Sequence, residues 1–563
     1  MFQDNLFREL VVDNFAGGGG ASTGMELALG YPVDIAVNHD ADAIAMHKVN
    51  HPYTRHFQED VFAIDPEQVT GGRAVGIAWF SPDCKHFSRA KGGKPVDKKI
   101  RGLSWVVLRW AMSSVAPRVI FMENVPEIKT WCPLIEIDGQ MRPDPAREGE
   151  TFNGFVAMLT GGIEKDHPAF SEACEFLKIE PDSEDGDRLA AGLGYAVAWK
   201  ELKACDYGAP TIRNRFYLIA RRDGQPIVFP EPTHGKGRKP YRTAAECIDW
   251  SLPCPSIFGR KKELAENTLR RIARGLDKFV LRNASPYIMC NNTNNVPHGV
   301  NEPLPTQTTG NRNYLCAPSL VQYHSEQGKG EVRGQEIGKP IMTIDGSPRY
   351  AMSACYPTKY FSGARQAGAS LTEPAPTVTA IDHSALAAAN LLHYYGGADH
   401  ASRVDSPLPT VTTLPRHYIV KTYLQKIDAA QDFGNWAHVR EILNKYAGYS
   451  IAADEIFIVE IDGERYFISD IGMRMLKARE LMLAQGFPPD YIIDIESHIG
   501  KRYSEAKQIA RMGNAVCPPV AEALVRANCA EIASQRVIAT MAMLNAVIDE
   551  SCHRKRQYRR AAQ

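Results

Sequence analysis

The chain has 563 residues, 44% of them hydrophobic and 23% charged, which is too long for one core and ordinary for a globular protein of two or three domains. Its 65 basic and 65 acidic residues cancel, so any case for nucleic-acid binding must come from local clusters rather than bulk charge. No apolar run approaches a membrane span, the start "MFQDNLFREL" lacks a signal-peptide layout, and the 12 cysteines form no C-x-x-C pair. The expectation is a cytoplasmic protein with reduced thiols, no membrane contact and no metal.

Residues 1–125 alternate as α/β proteins do. "ELVVDNF" reads as a buried strand, followed by a glycine run and the helical "ASTGMELALG". Then come "VDIAVNH", a helix through "ADAIAMHKV", "AVGIAWF", a helix through "GLSWVVLRWAMSSV", and "PRVIFMENV". Short apolar runs ending in polar residues, separated by helical periodicity, predict a parallel sheet with helices on both faces. Ligands collect at the carboxyl ends of such strands. Asp13, Asn38, Cys84 and Glu123 end the apolar runs and are the residues to watch.

Residues 126–190 read as an insertion whose acidic stretch "EPDSEDGDR" predicts an exposed segment. The α/β pattern resumes at "LGYAVAWKELKA" and "RNRFYLIARR". "LAENTLRRIARGLDKFVLRNA" predicts an amphipathic helix. Its apolar face carries Leu269, Ile272, Leu276, Phe279 and Val280, and Arg270, Arg274, Lys278 and Arg282 make a basic stripe on another face. The stripe suits phosphate contact or is simply a solvated face. Residues 285–425 hold an internal repeat whose cores place Thr306, Thr343, Thr377 and Thr410 at near-regular spacing, as in proline-bounded β units that pack on one another. "FIVEIDGERYFI" signals a hairpin around Asp462-Gly463. Two helical stretches and the basic tail "HRKRQYRR" complete the chain.

"DNFAGGGGAS" follows the first strand and opens a helix, where backbone N–H groups favour oxygen-rich ligands. The glycines alone fit a dinucleotide site, an AdoMet site or a tight turn. Asn38 and Asp60 could bond an adenosine or cap loops. In "WFSPDCKHFSRAKGG", Cys84 stands between charges rather than in an apolar core. Asp83 would raise its pKa, while Lys85, Arg89 and Lys91 would lower it. Arg213 and Arg215, leading the strand "FYLIA", could bring fixed positive charge to the same edge.

Six stretches then occur in order: "DNFAGGGGASTGMELA", "SPDCKHFS", "FMENVPEI", "GAPTIRNRFYLIA", "ARELMLAQGFP" and "MGNAVCPP". With these the chain resembles the DNA cytosine-5 methyltransferase family over residues 10–125, 195–222 and 473–530. The resemblance implies a Rossmann-like, AdoMet-dependent catalytic domain over 1–222 and a mostly β target-recognition domain over 223–472. It implies that 473–563 returns to the catalytic domain. It also implies that Cys84 attacks cytosine C6 while Glu123 protonates N3, with Asn124 holding the adjacent loop and Arg213 and Arg215 steadying the base. Asp13, Phe15, Gly17, Gly19, Gly20, Asn38, His39, Asp60 and Asn514 would line the S-adenosyl-L-methionine site. Ser88, Arg89 and Lys91 would lie in a lid over double-stranded DNA, from which the target base is flipped.

Three positions depart from the family pattern. Asp83 stands where proline is usual before the nucleophile, Asn38 where an acidic ribose ligand is usual, and Thr211 where glutamine is usual. A monomeric enzyme is expected, working with or without a cognate restriction endonuclease. The alternatives are an RNA-directed relative and a catalytically silent DNA-binding protein on the same fold. Neutralising Arg270, Arg274, Lys278 and Arg282 together is expected to weaken DNA binding at every sequence and flatten its salt dependence, as read by fluorescence anisotropy across a salt series. Unchanged binding would make the stripe a solvated face.

Overall fold

The computed structural model describes residues 8–83, 102–137, 139–211, 213–247, 251–277, 432–461, 464–475, 477–496 and 502–533. It also describes residues 249, 281, 427 and 500, and the backbone of the strands between 287 and 426. Cys84, Ser88, Arg89, Lys91, Lys278, Arg282, the four repeat threonines, the Asp462-Gly463 turn, the basic tail and the side chain of Arg274 lie outside the described residues.

The expected alternation is present from the start of the description. It runs β1 (Leu10–Asn14), α1 (Gly20–Leu29), β2 (Ile35–Val37), α2 (Ala41–Asn50), β3 (Arg55–Phe57) and α3 (Pro66–Thr70). It continues with β4 (Val75–Phe80), α4 (Val106–Met112) and β5 (Val119–Asn124). After a small hairpin, β6 (Leu134–Ile137) with β7 (Gln140–Pro143), come α5 (Glu150–Leu159), α6 (Pro168–Leu177) and α7 (Glu184–Ala191). The last two strands of this part are β8 (Ala196–Lys203) and β9 (Asn214–Arg221). The central sheet has the order β3-β2-β1-β4-β5-β9-β8. Its first five strands are parallel, with Asn14 opposite Val37 on one side and Phe80 on the other, and Phe80 opposite Met122. Their carboxyl ends therefore finish at one edge.

The parallel order expected over residues 1–125 holds for β1 to β5, and β9 then runs antiparallel to both β5 and β8. The link from β8 to β9, residues 204–213, begins with a 3-10 turn over Ala204–Tyr207 and is closed by Ala204 N–H on the Arg213 carbonyl at 2.9 Å. A parallel return needs a crossover of a dozen or more residues, which this link does not supply. Because β9 runs against β5, its beginning lies beside the carboxyl end of β5.

Both faces of the sheet are buried, as the unbroken burial of β1, β4 and β5 records. One face is covered by α4 to α7 through Trp105, Trp110, Phe155, Phe170 and Leu189. Residues 126–190 thus supply helices to the core. The acidic stretch within them begins α7, where the Ser183 hydroxyl accepts from Gly186 N–H and Glu184, Asp185 and Asp187 occupy the first turn. Acidic side chains are favourable at that pole of a helix.

The other face is covered by α1 and by the far end of the chain. That end follows α8 (Glu266–Leu276) and α9 (Trp436–Ala447). It comprises α10 (Ala478–Ala484), α11 (Glu505–Asn514) and α12 (Pro518–Asn528). The α12 residues Ala521, Leu524 and Val525 pack with Ala21, Met25 and Leu29. The chain is clasped where β9 ends: Arg221 Nη1 donates to the Asn528 carbonyl at 2.7 Å. Asn528 in turn accepts from Val228 N–H at 2.9 Å and donates to the Val228 carbonyl at 2.7 Å. A second sheet of nine strands contains the hairpin of Val459–Ile461 with Glu464–Met475, flanked by His417–Lys426 and Ser384–His393. Ile272 and Leu276 of α8 are buried in a core with Val439, Leu443, Phe467 and Ile471.

Among the described residues, no helix is long and apolar enough to cross a membrane, and no group of three or more His, Cys, Asp or Glu could hold a metal ion. The α1–α12 contact is set by Gly24. A Cβ there would sit 2.5 Å from both the Ala521 Cβ and the Pro518 carbonyl oxygen. Helix propensity alone favours Gly24→Ala by roughly 0.5–1 kcal/mol. Backbone atoms cannot yield as side chains can, so the clash wins. Gly24→Ala is expected to destabilise by about 1–3 kcal/mol, read as a lower urea midpoint.

Candidate active site

Glu123 is the penultimate residue of β5 and is 5% exposed. A carboxylate buried this deeply needs positive charge nearby, and the start of β9 provides it. Arg215 Nε lies 3.3 Å and Arg213 Nη2 3.8 Å from Glu123 Oε1. Both arginines are 4% exposed. Alternation along β5 and β9 explains the meeting, because Glu123 stands opposite Tyr217 and residues 213, 215 and 217 share its face. Arg213 is anchored on the Gly513 carbonyl at 2.9 Å, and Arg215 on the Asn214 carbonyl at 2.9 Å. Thr211, fully buried, accepts from Arg213 N–H at 3.3 Å.

Asn124 connects the ends of β5 and β4. Its Nδ2 donates to the Pro82 carbonyl at 3.3 Å, and its Oδ1 accepts from Val125 N–H at 2.8 Å. The backbone leading into Cys84 is thereby tied beside Glu123 as far as Asp83, where the description stops.

At the same edge, β1 opens into the glycine loop. Phe15 is held at φ 64°, a left-handed conformation costing a non-glycine residue about 1–3 kcal/mol. Gly17 and Gly19 are also left-handed, and Gly20 starts α1 so close to Val516 that a Cβ would overlap its carbonyl oxygen. Gly18 and Gly19 are backed by the C-terminal part: the Tyr491 hydroxyl donates to the Gly18 carbonyl at 2.6 Å and stands 3.3 Å from His51 Nε2. At the end of β2, Asn38 Oδ1 accepts from Asp40 N–H at 2.9 Å, which leaves the amide NH2 as its free-facing chemistry. Asp40 caps α2 and pairs with Arg511 of α11. His39 and Asn514 are exposed. Asp60 is exposed after β3 and accepts from Phe62 N–H at 3.0 Å.

Asp13 is fully buried. It accepts from Ser22 Oγ at 2.6 Å, and Ser22 Oγ lies 3.0 Å from His47 Nε2. Burial pushes Asp13 up to about 7, against the Ser22 hydrogen bond that pulls it down. Burial also holds His47 well below its usual range. Asp13 Oδ1 and both polar atoms of the Asn14 side chain have no hydrogen-bond partner. Together with the open glycine turn, these buried polar atoms fit a polar cofactor at the end of β1.

The structure therefore brings Asp13, Phe15, Gly17, Gly19, Gly20, Asn38, Glu123, Asn124, Arg213 and Arg215 to one sheet edge. It places Arg270 elsewhere, on α8, where it bonds Glu266 at 3.4 Å and lies 5.8 Å from the Tyr446 ring centroid. Sequence reasoning missed Tyr491, His51 and Arg511. Tyr491 adjoins the quoted "AQGFP" stretch, but no local pattern signals its partner.

The model of C-5 cytosine-specific DNA methylases matches residues 10–131 and 407–529. Over those residues the chain is similar to that family. Among curated proteins similar to the chain, the Type II methyltransferase M.AgeI of Thalassovita gelatinovora is 25% identical over 233 residues, 40% of this chain and 43% of the relative. M.AquIA, a Type II methyltransferase of Picosynechococcus, is 24% identical over 260 residues, 43% of this chain and 88% of the relative. The chain thus spans less than half the length of the first and most of the second. The solved Entamoeba histolytica methyltransferase EhMeth aligns over 92% of this chain and 97% of that chain, at 11% identity and a TM-score of 0.40.

Asp13 provides a pH test. Its folded pKa lies above the unfolded value of 3.8, so the native state binds the extra proton and stability falls as pH rises from about 4 to about 7. Asp13→Asn keeps an acceptor for Ser22 and removes that dependence. Its stability relative to the unmodified protein is expected to increase from pH 5 to pH 8 in urea unfolding; a constant difference would contradict the assignment.

Proposed function

We propose that this protein transfers a methyl group from S-adenosyl-L-methionine to C5 of cytosine in DNA, through a covalent bond between Cys84 and C6. The observation that carries the reading is Glu123, buried at a strand end between Arg213 and Arg215, beside the Pro82 backbone that leads into Cys84. Cytosine C5 is a poor nucleophile until C6 is saturated, which calls for covalent catalysis. The Cys84 thiolate adds to C6, and the displaced electron pair moves through the ring as Glu123 delivers a proton to N3. Arg213 and Arg215 hold the carboxylate in place and balance its charge once that proton has left. After methylation, the C5 proton is lost to a base, the N3 proton returns to Glu123, and the Cys84 thiolate is expelled as the C5–C6 double bond and the ring are restored.

Bound S-adenosyl-L-methionine supplies the electrophilic methyl carbon. Phe15, Gly17, Gly19 and Gly20 would hold it, with Asp13 and Asn14 beneath, Asn38 at the ribose, His39 and Asp60 toward the adenine end and Asn514 on the far wall. Asn38 offers its amide NH2 where a carboxylate would offer only acceptors, since its oxygen is engaged by Asp40. Residues 223–472 would read the DNA site, with the base flipped at a cost of a few kcal/mol. The Type II names of the relatives support site-specific modification that protects DNA from a cognate endonuclease, or protects phage or mobile DNA.

The test is transfer of labelled methyl from the cofactor to duplex DNA and to tRNA, with trapping on 5-fluorocytosine DNA. Methylated duplex DNA and a trapped adduct are expected, with Cys84→Ala forming no adduct and Glu123→Gln slowing turnover by about 10²–10⁴-fold. Incorporation into tRNA alone would replace the DNA reading. Equal behaviour of Cys84→Ala and the unmodified protein would end it.

A further inference from the structure

The C-terminal part meets the strand-end cluster at one buried knot. Gln485, directly after α10, is fully buried. Its Nε2 donates to the Met512 carbonyl at 3.0 Å, and its Oε1 accepts from the Cys517 thiol at 3.0 Å. The amide orientation is forced, because a carbonyl only accepts and must face the NH2 side. Burial pushes the Cys517 thiol up to about 12, so the sulfur keeps its proton and is the donor. One side chain thus closes both ends of the turn between α11 and α12.

The Gly513 carbonyl that anchors Arg213 lies inside this turn. The Arg213–Glu123 separation of 3.8 Å is too long for a direct hydrogen bond. Where the guanidinium sits is then decided by its anchor more than by the carboxylate. Proline at 518 and 519 fixes the start of α12, and Gly20 meets Val516 with no spare room, so the turn is confined on its other sides. Gln485 is the polar closure of that enclosure.

We propose that Gln485 is a positioning residue for the Arg213–Glu123 pair, acting through the Met512–Cys517 turn that it bridges. The inference rests on the reading of Glu123 as the group that protonates the base. It differs from a role in fold stability alone, because losing the bridge shifts an arginine that never touches Gln485. Gln485→Met is nearly isosteric and removes both hydrogen bonds. Gln485→Glu keeps the shape and the acceptor toward Cys517, and places an oxygen against the Met512 carbonyl.

The experiment combines steady-state kinetics on duplex DNA with amide hydrogen exchange on both variants and the unmodified protein. The expected result is a kcat lower by about tenfold to a hundredfold, with KM for S-adenosyl-L-methionine unchanged. Exchange is expected to quicken over residues 211–216 as well as 512–517. Exchange over 211–216 that stays at the unmodified rate would overturn the proposal, as would a defect confined to KM. If one variant fails to fold, the other carries both measurements. If the unmodified protein methylates nothing, the catalytic reading fails, while the exchange data still decide whether Gln485 controls Arg213.

Discussion

Burying a carboxylate at a strand end costs free energy that nearby positive charge offsets, and in this protein Glu123 lies beside two arginines. That single requirement organises much of the surrounding architecture. The arginines can reach Glu123 because β9 runs against β5 and begins where β5 finishes. The short link after β8 pairs β9 with β8 as an antiparallel hairpin. Holding Arg213 then requires a carbonyl from the far end of the chain, and this brings α11 and α12 against the glycine loop. The glycine loop and the Glu123 cluster at the sheet edge thus share one support.

Much of the catalytic fold was legible in the sequence because its strands are buried on both faces. Such strands read as continuous apolar runs, and β1, β2, β4 and β5 were found with the helices between them. β3 was missed for the opposite reason: it is three residues long, at the sheet edge and only partly buried. The direction of β9 was not legible from its composition, which suits either sense equally well; the short preceding link settles only its sense relative to β8. The helices of residues 126–190 were hidden by their charge, since α7 opens on three acidic residues and buries only Gly186 and Leu189.

The site divides in the same manner. Glu123, Arg213 and Arg215 were identified as residues at the ends of apolar runs, and they meet because alternation puts them on one face. Asp13 was read as a cofactor ligand from its place at the end of β1, where its Oδ2 accepts from the Ser22 hydroxyl of α1. Gln485 lay inside the quoted "ARELMLAQGFP" without a role assigned to it, and Tyr491 carried no local signal. Tyr491 meets Gly18 across 473 residues of chain, and no periodicity reports such a pairing.

The clasp of Arg221, Val228 and Asn528 closes the base of a very long excursion. Chain leaves the catalytic sheet and returns to it through a few hydrogen bonds at the sheet edge opposite Glu123. Loop-closure entropy grows only logarithmically, about 0.6 kcal/mol for each doubling of length. With those ends fastened, the chain between Val228 and the helices that return to the sheet can change in length at little cost to the sheet. Insertions or losses there would leave the strand ends around Glu123 where they are.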